Sequence, residues 1–230
     1  MAVRAPSEVE REGFAIHRVG VAGAVVERLK AAFDTGPSDG TRHGGQRNVL
    51  SRPEVRAVAQ SETIRGLVEP VLGPRSFAVR ALLFNKSPAA NWRVIWHQDL
   101  SIAVKARTNV AGFGPWTMKG GLPHCLAPAT VLERMLAVRI HLDDCNAEAG
   151  PLRVLPGTHL GGRLDGLAVE AWKARIPPVS CLAPTGGVVL MRPLLLHASS
   201  SSIRETRRRV LHIEFADGAL PGGLEWAERV

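Results

Sequence analysis

Apolar positions along the chain fall into two regimes, spaced for helices up to about residue 75 and for strands beyond it. A short strand at Gly13-Phe14-Ala15-Ile16 comes first. Val21, Ala24, Val25, Leu29 and Ala32 then recur at helical spacing with Glu27, Arg28 and Lys30 on the polar side, which predicts a helix over 21–33. Two further helices are expected, one over 53–60 opened by Pro53 and one over 62–72 closed by Gly73 and Pro74. The turn-rich segment 35–45 reads as a loop, with His43 in solvent. Strand patterns then run over 77–84, 93–104, 135–142, 152–155, 188–196 and 208–215. Helices followed by many short strands give an α+β, mainly β class. Between 105 and 131, Gly112, Gly114, Pro115, Gly120, Gly121, Pro123 and Pro128 break up an irregular stretch holding Phe113 and Trp116, whose length is expected of a lid or binding loop. No repeat or linker divides the chain, so residues 1–230 read as one domain: a helical buttress over 1–75 and a strand-built core over 76–216.

Composition narrows the functional classes. The net charge is +8 with a pI near 10.4, but the basic residues are scattered and cluster only at Arg204 to Arg209. No nucleic-acid motif accompanies them, and with no Tyr and 6 Phe there is little to stack bases on. A small, anionic substrate uses such charge better than nucleic acid. No apolar run approaches the roughly 20 residues that span a bilayer, and the first ten residues lack a secretory signal's apolar stretch. A cytoplasmic protein without a membrane partner is therefore expected. Three widely spaced cysteines, Cys125, Cys145 and Cys181, form no CxxC and are expected to be reduced thiols.

Chemistry concentrates at Trp96-His97-Gln98-Asp99-Leu100. In a strand, side chains alternate and the rise is about 3.3 Å per residue, so His97 and Asp99 share a face while Gln98 points away. The same alternation assigns Val94, Trp96, Leu100, Ile102 and Val104 to the packing face. His197, after the apolar run 188–196, offers a third ligand. Two imidazoles and one carboxylate, with coordination positions left open, form the facial triad of non-haem Fe(II) oxygenases.

In that light the chain resembles the phytanoyl-CoA dioxygenase family of Fe(II)- and 2-oxoglutarate-dependent oxygenases. Five segments carry the resemblance in order: Phe84-Asn85-Lys86-Ser87-Pro88, the His97 segment, Leu142-Asp143-Asp144, Gly150 to His159, and His197-Ala198-Ser199 with Arg208. It implies a double-stranded β-helix, the jelly-roll or cupin-like barrel, with helices packed on one sheet. It further implies Fe(II) bound by His97, Asp99 and His197, with 2-oxoglutarate as cosubstrate and O2 as oxidant. Arg208 would pair with the distal carboxylate of 2-oxoglutarate, a planar fork of donors on a carboxylate. Ser199, two residues after His197, would add a hydroxyl.

Strand parity selects Arg208 among its basic neighbours, because Arg208, Val210, His212 and Glu214 share one face and Arg209, Leu211, Ile213 and Phe215 the other, apolar one. Parity likewise turns Arg139 and His141 inward, making Arg139 a pocket residue. A second HxD triplet, His141-Leu142-Asp143, competes with the first, but the family pattern places it at a solvated strand end. His159 falls in a structural turn, and His124 is expected on the surface of the lid. The resemblance implies a hydroxylase releasing succinate and CO2. A halogenase of similar fold would replace the acid that Asp99 supplies, and a non-catalytic jelly-roll binding a metal or ligand is the alternative of a different class.

Overall fold

In the computed structural model, residues 7–35, 45–88, 90–203 and 207–230 are described; His43 and Arg204 lie outside them. The first part is helical with two strand insertions. Helix α1 (Glu8–Glu12), capped by Ser7, turns through Gly13 at φ 83° into strand β1 (Phe14–His17). Helix α2 (Gly23–Thr35), strand β2 (Gly45–Gln46), α3 (Pro53–Ala59) and α4 (Glu62–Leu72) follow. Pro53 sits in the first turn of α3, where its missing N–H costs nothing, and Ser61 caps α4. The strands are β3 (Phe77–Lys86), β4 (Val94–His97), β5 (Ser101–Ala103), β6 (Trp116–Lys119), β7 (Leu122–Leu126), β8 (Met135–His141), β9 (Leu152–Val154), β10 (Val179–Cys181), β11 (Val188–Met191), β12 (His197–Ser199) and β13 (Arg208–Ala216). Short α5 (Ala129–Leu132) precedes β8, and α6 (Gly166–Arg175) lies between β9 and β10.

These strands make a six-stranded antiparallel sheet, ordered β1-β11-β8-β13-β3-β2, a four-stranded antiparallel sheet, β10-β9-β12-β4, and a small sheet β5-β7-β6. The two larger sheets have the double-stranded β-helix arrangement of cupin-like jelly rolls. Leu211, Ile213 and Phe215 of β13 bury their side chains with Leu29, Val55, Ile64 and Val68 of the helices, so the buttress covers the outer face of the large sheet. Burying such a side chain stabilises by about 1.5–3 kcal/mol. Phe14, Leu152, Val154 and Val189 form a smaller core between the sheets, leaving the rest of the inner face for polar groups. Among the described residues no helix is long and apolar enough to cross a membrane.

Five expectations need correction. The segment 93–104 is not one strand: β4 and β5 belong to different sheets, because Gln98 is buried in the turn between them. Its amide donates to the Gly162 and Leu194 carbonyls at 2.7 and 2.6 Å and accepts from the Leu164 N–H at 2.8 Å. Nor does Trp96 pack inward, since it lies on the outer face of β4 under Arg153. The run 188–196 is likewise not one strand: β11 of the large sheet stops at Met191, a turn through Pro193, which lacks a ladder donor, follows, and β12 of the other sheet begins only at His197. Finally, much of 105–131 is regular: β6 and β7 form a hairpin on β5, α5 follows, and His124 is buried on β7 rather than exposed. Glycine turns and apolar packing of Cys125 and Leu132 order this stretch, and neither follows helical or long alternating spacing.

Candidate metal centre

Two neighbouring strands supply the ligands. β12 pairs with β4 so that His197 stands opposite His97, and their rings lie 4.1 Å apart between centroids. The register then slips, with Ser199 opposite Val94: three steps along β4 match two along β12. Such a bulge re-aims side chains, and it explains how Val94 and His97, an odd number of residues apart, both line the inner cavity. Asp99 follows at the turn held by Gln98. Its carboxylate reaches 3.7 Å from His97 Nε2 and 3.5 Å from His197 Nε2, and ligand atoms of all three lie within 4.8 Å of one another.

The protonation states suit a cation. Each histidine places Nδ1 2.9 Å from the carbonyl oxygen two residues earlier, Ile95 for His97 and Leu195 for His197. A carbonyl only accepts, so Nδ1 is the donor in each ring and Nε2 is the nitrogen turned toward Asp99, the orientation metal-ligating histidines commonly take. Burial pushes His197 down to about 4 despite the pull of Asp99, which keeps its imidazole neutral near pH 7. Burial would raise Asp99, but His197, His212, His97 and Arg80 outweigh it and hold the carboxyl at about 2. Neutral nitrogens and an ionised carboxylate are what Fe(II) takes. The side chains of His97 and Asp99 remain about a third exposed, 35% and 34%, so one side of the triad is open.

Beside the triad a cavity of about 100 Å³ is bounded by Phe84, Trp92, Arg139, Ser199, Lys86 and Arg208, among others. Arg208 stands opposite Lys86 in the β13–β3 ladder, and both are buried. Among the described residues Arg208 has no hydrogen-bond partner for Nε or Nη1, which leaves an unpaired guanidinium edge inside the protein. Lys86 donates from Nζ to Ser199 Oγ at 3.1 Å and to the Ser200 carbonyl, and burial followed by repulsion from Arg208 lowers its pKa to about 8. Unpaired buried donors are costly, so the chemistry of this corner, with Arg208, Lys86 and Ser199 together, fits a carboxylate such as that of 2-oxoglutarate. Arg139 lies over Phe84 and donates from Nη1 to His212 Nδ1 at 3.0 Å; His212 in turn sits 3.3 Å from Glu214, which pairs with Arg80 at 3.1 Å. Since Arg can only donate, His212 Nδ1 accepts and its Nε2–H donates a hydrogen bond to Glu214.

All six residues singled out from sequence, His97, Asp99, His197, Arg208, Ser199 and Arg139, thus line one cavity. The rivals are elsewhere. Arg209 leaves the opposite face, bidentate on Asp143 at 2.8 and 2.9 Å, and Arg207 reaches Asp34 at 2.9 Å. That pairing also removes the competing triplet, because Asp143 is held outside while His141 is buried with neither ring nitrogen bonded. His159 sits against the Glu10 carbonyl. Lys86 was missed although its segment had been recognised; its parity with Phe84, inward on β3, was the available signal. Also missed was a basic rim: Arg80 Nη1 donates to the Ser101 carbonyl at 3.2 Å and Lys119 Nζ to Ser101 Oγ at 3.3 Å, two residues from Asp99. Burial and the nearby Arg80 and Arg47 lower the Lys119 pKa.

A sequence model described as Phytanoyl-CoA dioxygenase (PhyH) matches residues 9–210. Among solved structures, AviO1 from Streptomyces viridochromogenes Tue57 is similar at 24% identity and TM-score 0.66, over 93% of this chain and 94% of that one. The 2-oxoglutarate-dependent carbocyclase SnoK from nogalamycin biosynthesis is similar at 15% identity and TM-score 0.70, over 92% and 82%. EctD from S. alaskensis, solved with 2-oxoglutarate and 5-hydroxyectoine, is similar at 17% identity and TM-score 0.69, over 91% and 73%. No curated protein matches the chain.

Proposed function

Because the chain belongs to the phytanoyl-CoA dioxygenase (PhyH) family, we propose that it is an Fe(II)- and 2-oxoglutarate-dependent dioxygenase hydroxylating a small anionic molecule. The observation that carries this reading is the convergence of His97, Asp99 and His197 beside the unpaired edge of Arg208. His97, Asp99 and His197 would hold the metal, and Arg208, Lys86 and Ser199 the distal carboxylate of 2-oxoglutarate. Bound there, Fe(II) would supply the redox chemistry that couples O2 and the decarboxylation of 2-oxoglutarate to succinate and CO2 with oxidation of the substrate.

The chain's own contribution is geometry and charge. Backbone carbonyls of Ile95 and Leu195 fix the imidazole tautomers, and the Gln98 turn sets Asp99 between them. Lys86 and Arg208 put two cations at one end of the cavity, where a dianionic cosubstrate is recognised. His97 and Asp99 are each about a third exposed, and Lys119, with Arg80 and Arg47 near it, lies within reach of the Asp99 charge. That rim supports an anionic substrate; Arg80 already has Glu214, so Lys119 would bear most of the recognition.

The test is direct. Under anaerobic conditions the protein should bind about one Fe(II), His97→Ala and Asp99→Ala should bind none, and 2-oxoglutarate added to the iron-loaded parent should give a weak visible charge-transfer band. Air should then produce succinate. A parent that binds no 2-oxoglutarate at millimolar concentration would leave a non-catalytic jelly-roll as the better account, and iron retained by both variants would move the centre elsewhere.

A further inference from the structure

A second concavity lies on the outer face of the four-stranded sheet, behind the strands that carry His97 and His197. Helix α6 forms its far wall. None of the residues of α6 is buried, and Leu167 is 85% exposed, so the helix stands off the sheet instead of packing on it. Helices hold their place mainly by burying an apolar face, and this one leaves a groove of about 460 Å³ where that face would be. A volume of this size suits an organic ligand.

The groove is flat and apolar on its floor and positive on its walls. Trp96, Ile95 and Ala198 make the floor, with Ile95 70% exposed. Arg153 holds its guanidinium 5.7 Å from the Trp96 ring centroid, and Arg93 stands beside it. Lys173 is spent on Glu170, both of whose oxygens it meets at 2.8 Å. Neither Arg93 nor Arg153 has an ion pair among the described residues, so the wall keeps two uncompensated guanidinium groups. An arginine stacked on an indole presents a flat cationic surface with its fork of donors free at the edge.

We infer that this groove is a second ligand site, separate from the metal cavity, for a planar organic anion: an aromatic or conjugated body on Trp96 and Ile95 whose carboxylate or phosphate is met by Arg153 and Arg93. The site is one strand thick from the metal centre: the two linings share Val94, Ala198 and Ser199 but no charged side chain.

Titration calorimetry with 2-naphthoate, and with its uncharged amide as the matched control, tests this on full-length protein loaded with Ni(II) and saturating 2-oxoglutarate so that the metal cavity is filled. The naphthoate should bind at millimolar concentration or tighter, at least tenfold better than the amide, with quenching of tryptophan fluorescence. Arg153→Glu and, separately, Arg93→Glu should each weaken it at least tenfold while the thermal midpoint and 2-oxoglutarate affinity stay at parent values. Equal binding of acid and amide, parent-like binding by both arginine variants, or displacement of naphthoate by 2-oxoglutarate would each overturn the assignment. Should one variant fold poorly, the other alone decides.

Discussion

Single residues in the cavity carry charge in an unusual balance. Arg208, Arg139 and Lys86 are buried together, and His141 sits among them with both ring nitrogens unbonded. Burial first, then Arg139 and Arg208, push the His141 pKa to about 3, so in the folded state it is neutral throughout the ordinary range. The unfolded chain binds that proton near pH 6.5, and stability rises with pH wherever the unfolded state holds more protons. Stability is therefore complete above about 6.5 and lost progressively as pH falls toward 3. At pH 5 the loss from this one group is on the order of 2 kcal/mol. His141→Gln should flatten the fall in urea-unfolding free energy between pH 7 and 5 by about that amount, and a variant whose profile parallels the parent would place the proton sensitivity in other histidines. Side-chain directions at this scale were legible where parity governs. Arg208 inward and Arg209 outward follow from alternation along β13, which pairs in regular register from Arg208 to Glu214. Parity also turns Lys86 inward beside Phe84, but a lysine facing inward on a strand reads as an error until an anion is set beside it.

At the scale of elements, helices α3 and α4 and strands β3, β8 and β13 lie within a residue or two of their expected limits, since each carries its own period and stop signals. Short pieces escaped: β10 and β12 are 3 residues each, and α6, with no amphipathic face, has no apolar spacing to find. The break between β4 and β5 escaped for a different reason. What ends the strand is the burial of Gln98 against Gly162, Leu164 and Leu194, far along the chain. The loop leading into β9 shows how such pieces serve the cavity. Gly150 adopts φ 64°, and a Cβ there would collide with the Ser200 carbonyl, which accepts from Lys86. Gly150→Ala combines that clash with a left-handed backbone costing about 1–3 kcal/mol. It should lower the unfolding free energy by at least that much and weaken 2-oxoglutarate binding by displacing Ser200 and Lys86. Normal 2-oxoglutarate affinity in a destabilised Gly150→Ala protein would show that this loop supports the fold without setting the cosubstrate end of the cavity.

The whole molecule is two sheets with a polar interior between them, and the candidate centre draws on both. His97 and His197 come from the four-stranded sheet, while Arg208, Lys86 and Arg139 come from the six-stranded one. Metal and cosubstrate would consequently link the sheets, and their binding energy becomes folding energy. A ligand at a hundred times its dissociation constant stabilises by about 2.7 kcal/mol. For a chain of this size that is roughly 5 to 11 °C in thermal midpoint. The order of addition separates the parts. Ni(II), chosen as a redox-stable probe, should raise the midpoint alone; 2-oxoglutarate should add a further increment only when metal is present, because one end of it chelates the ion. Asp99→Ala should lose both increments. Arg208→Ala should keep the metal increment and lose most of the second, since removing one partner of a buried charge pair costs about 2–5 kcal/mol. Differential scanning calorimetry of the parent and both variants, each apo, with metal, and with metal plus 2-oxoglutarate, reads all of this. Stabilisation by 2-oxoglutarate without metal, or in full by Arg208→Ala, would mean that the dianion binds somewhere other than between the two sheets.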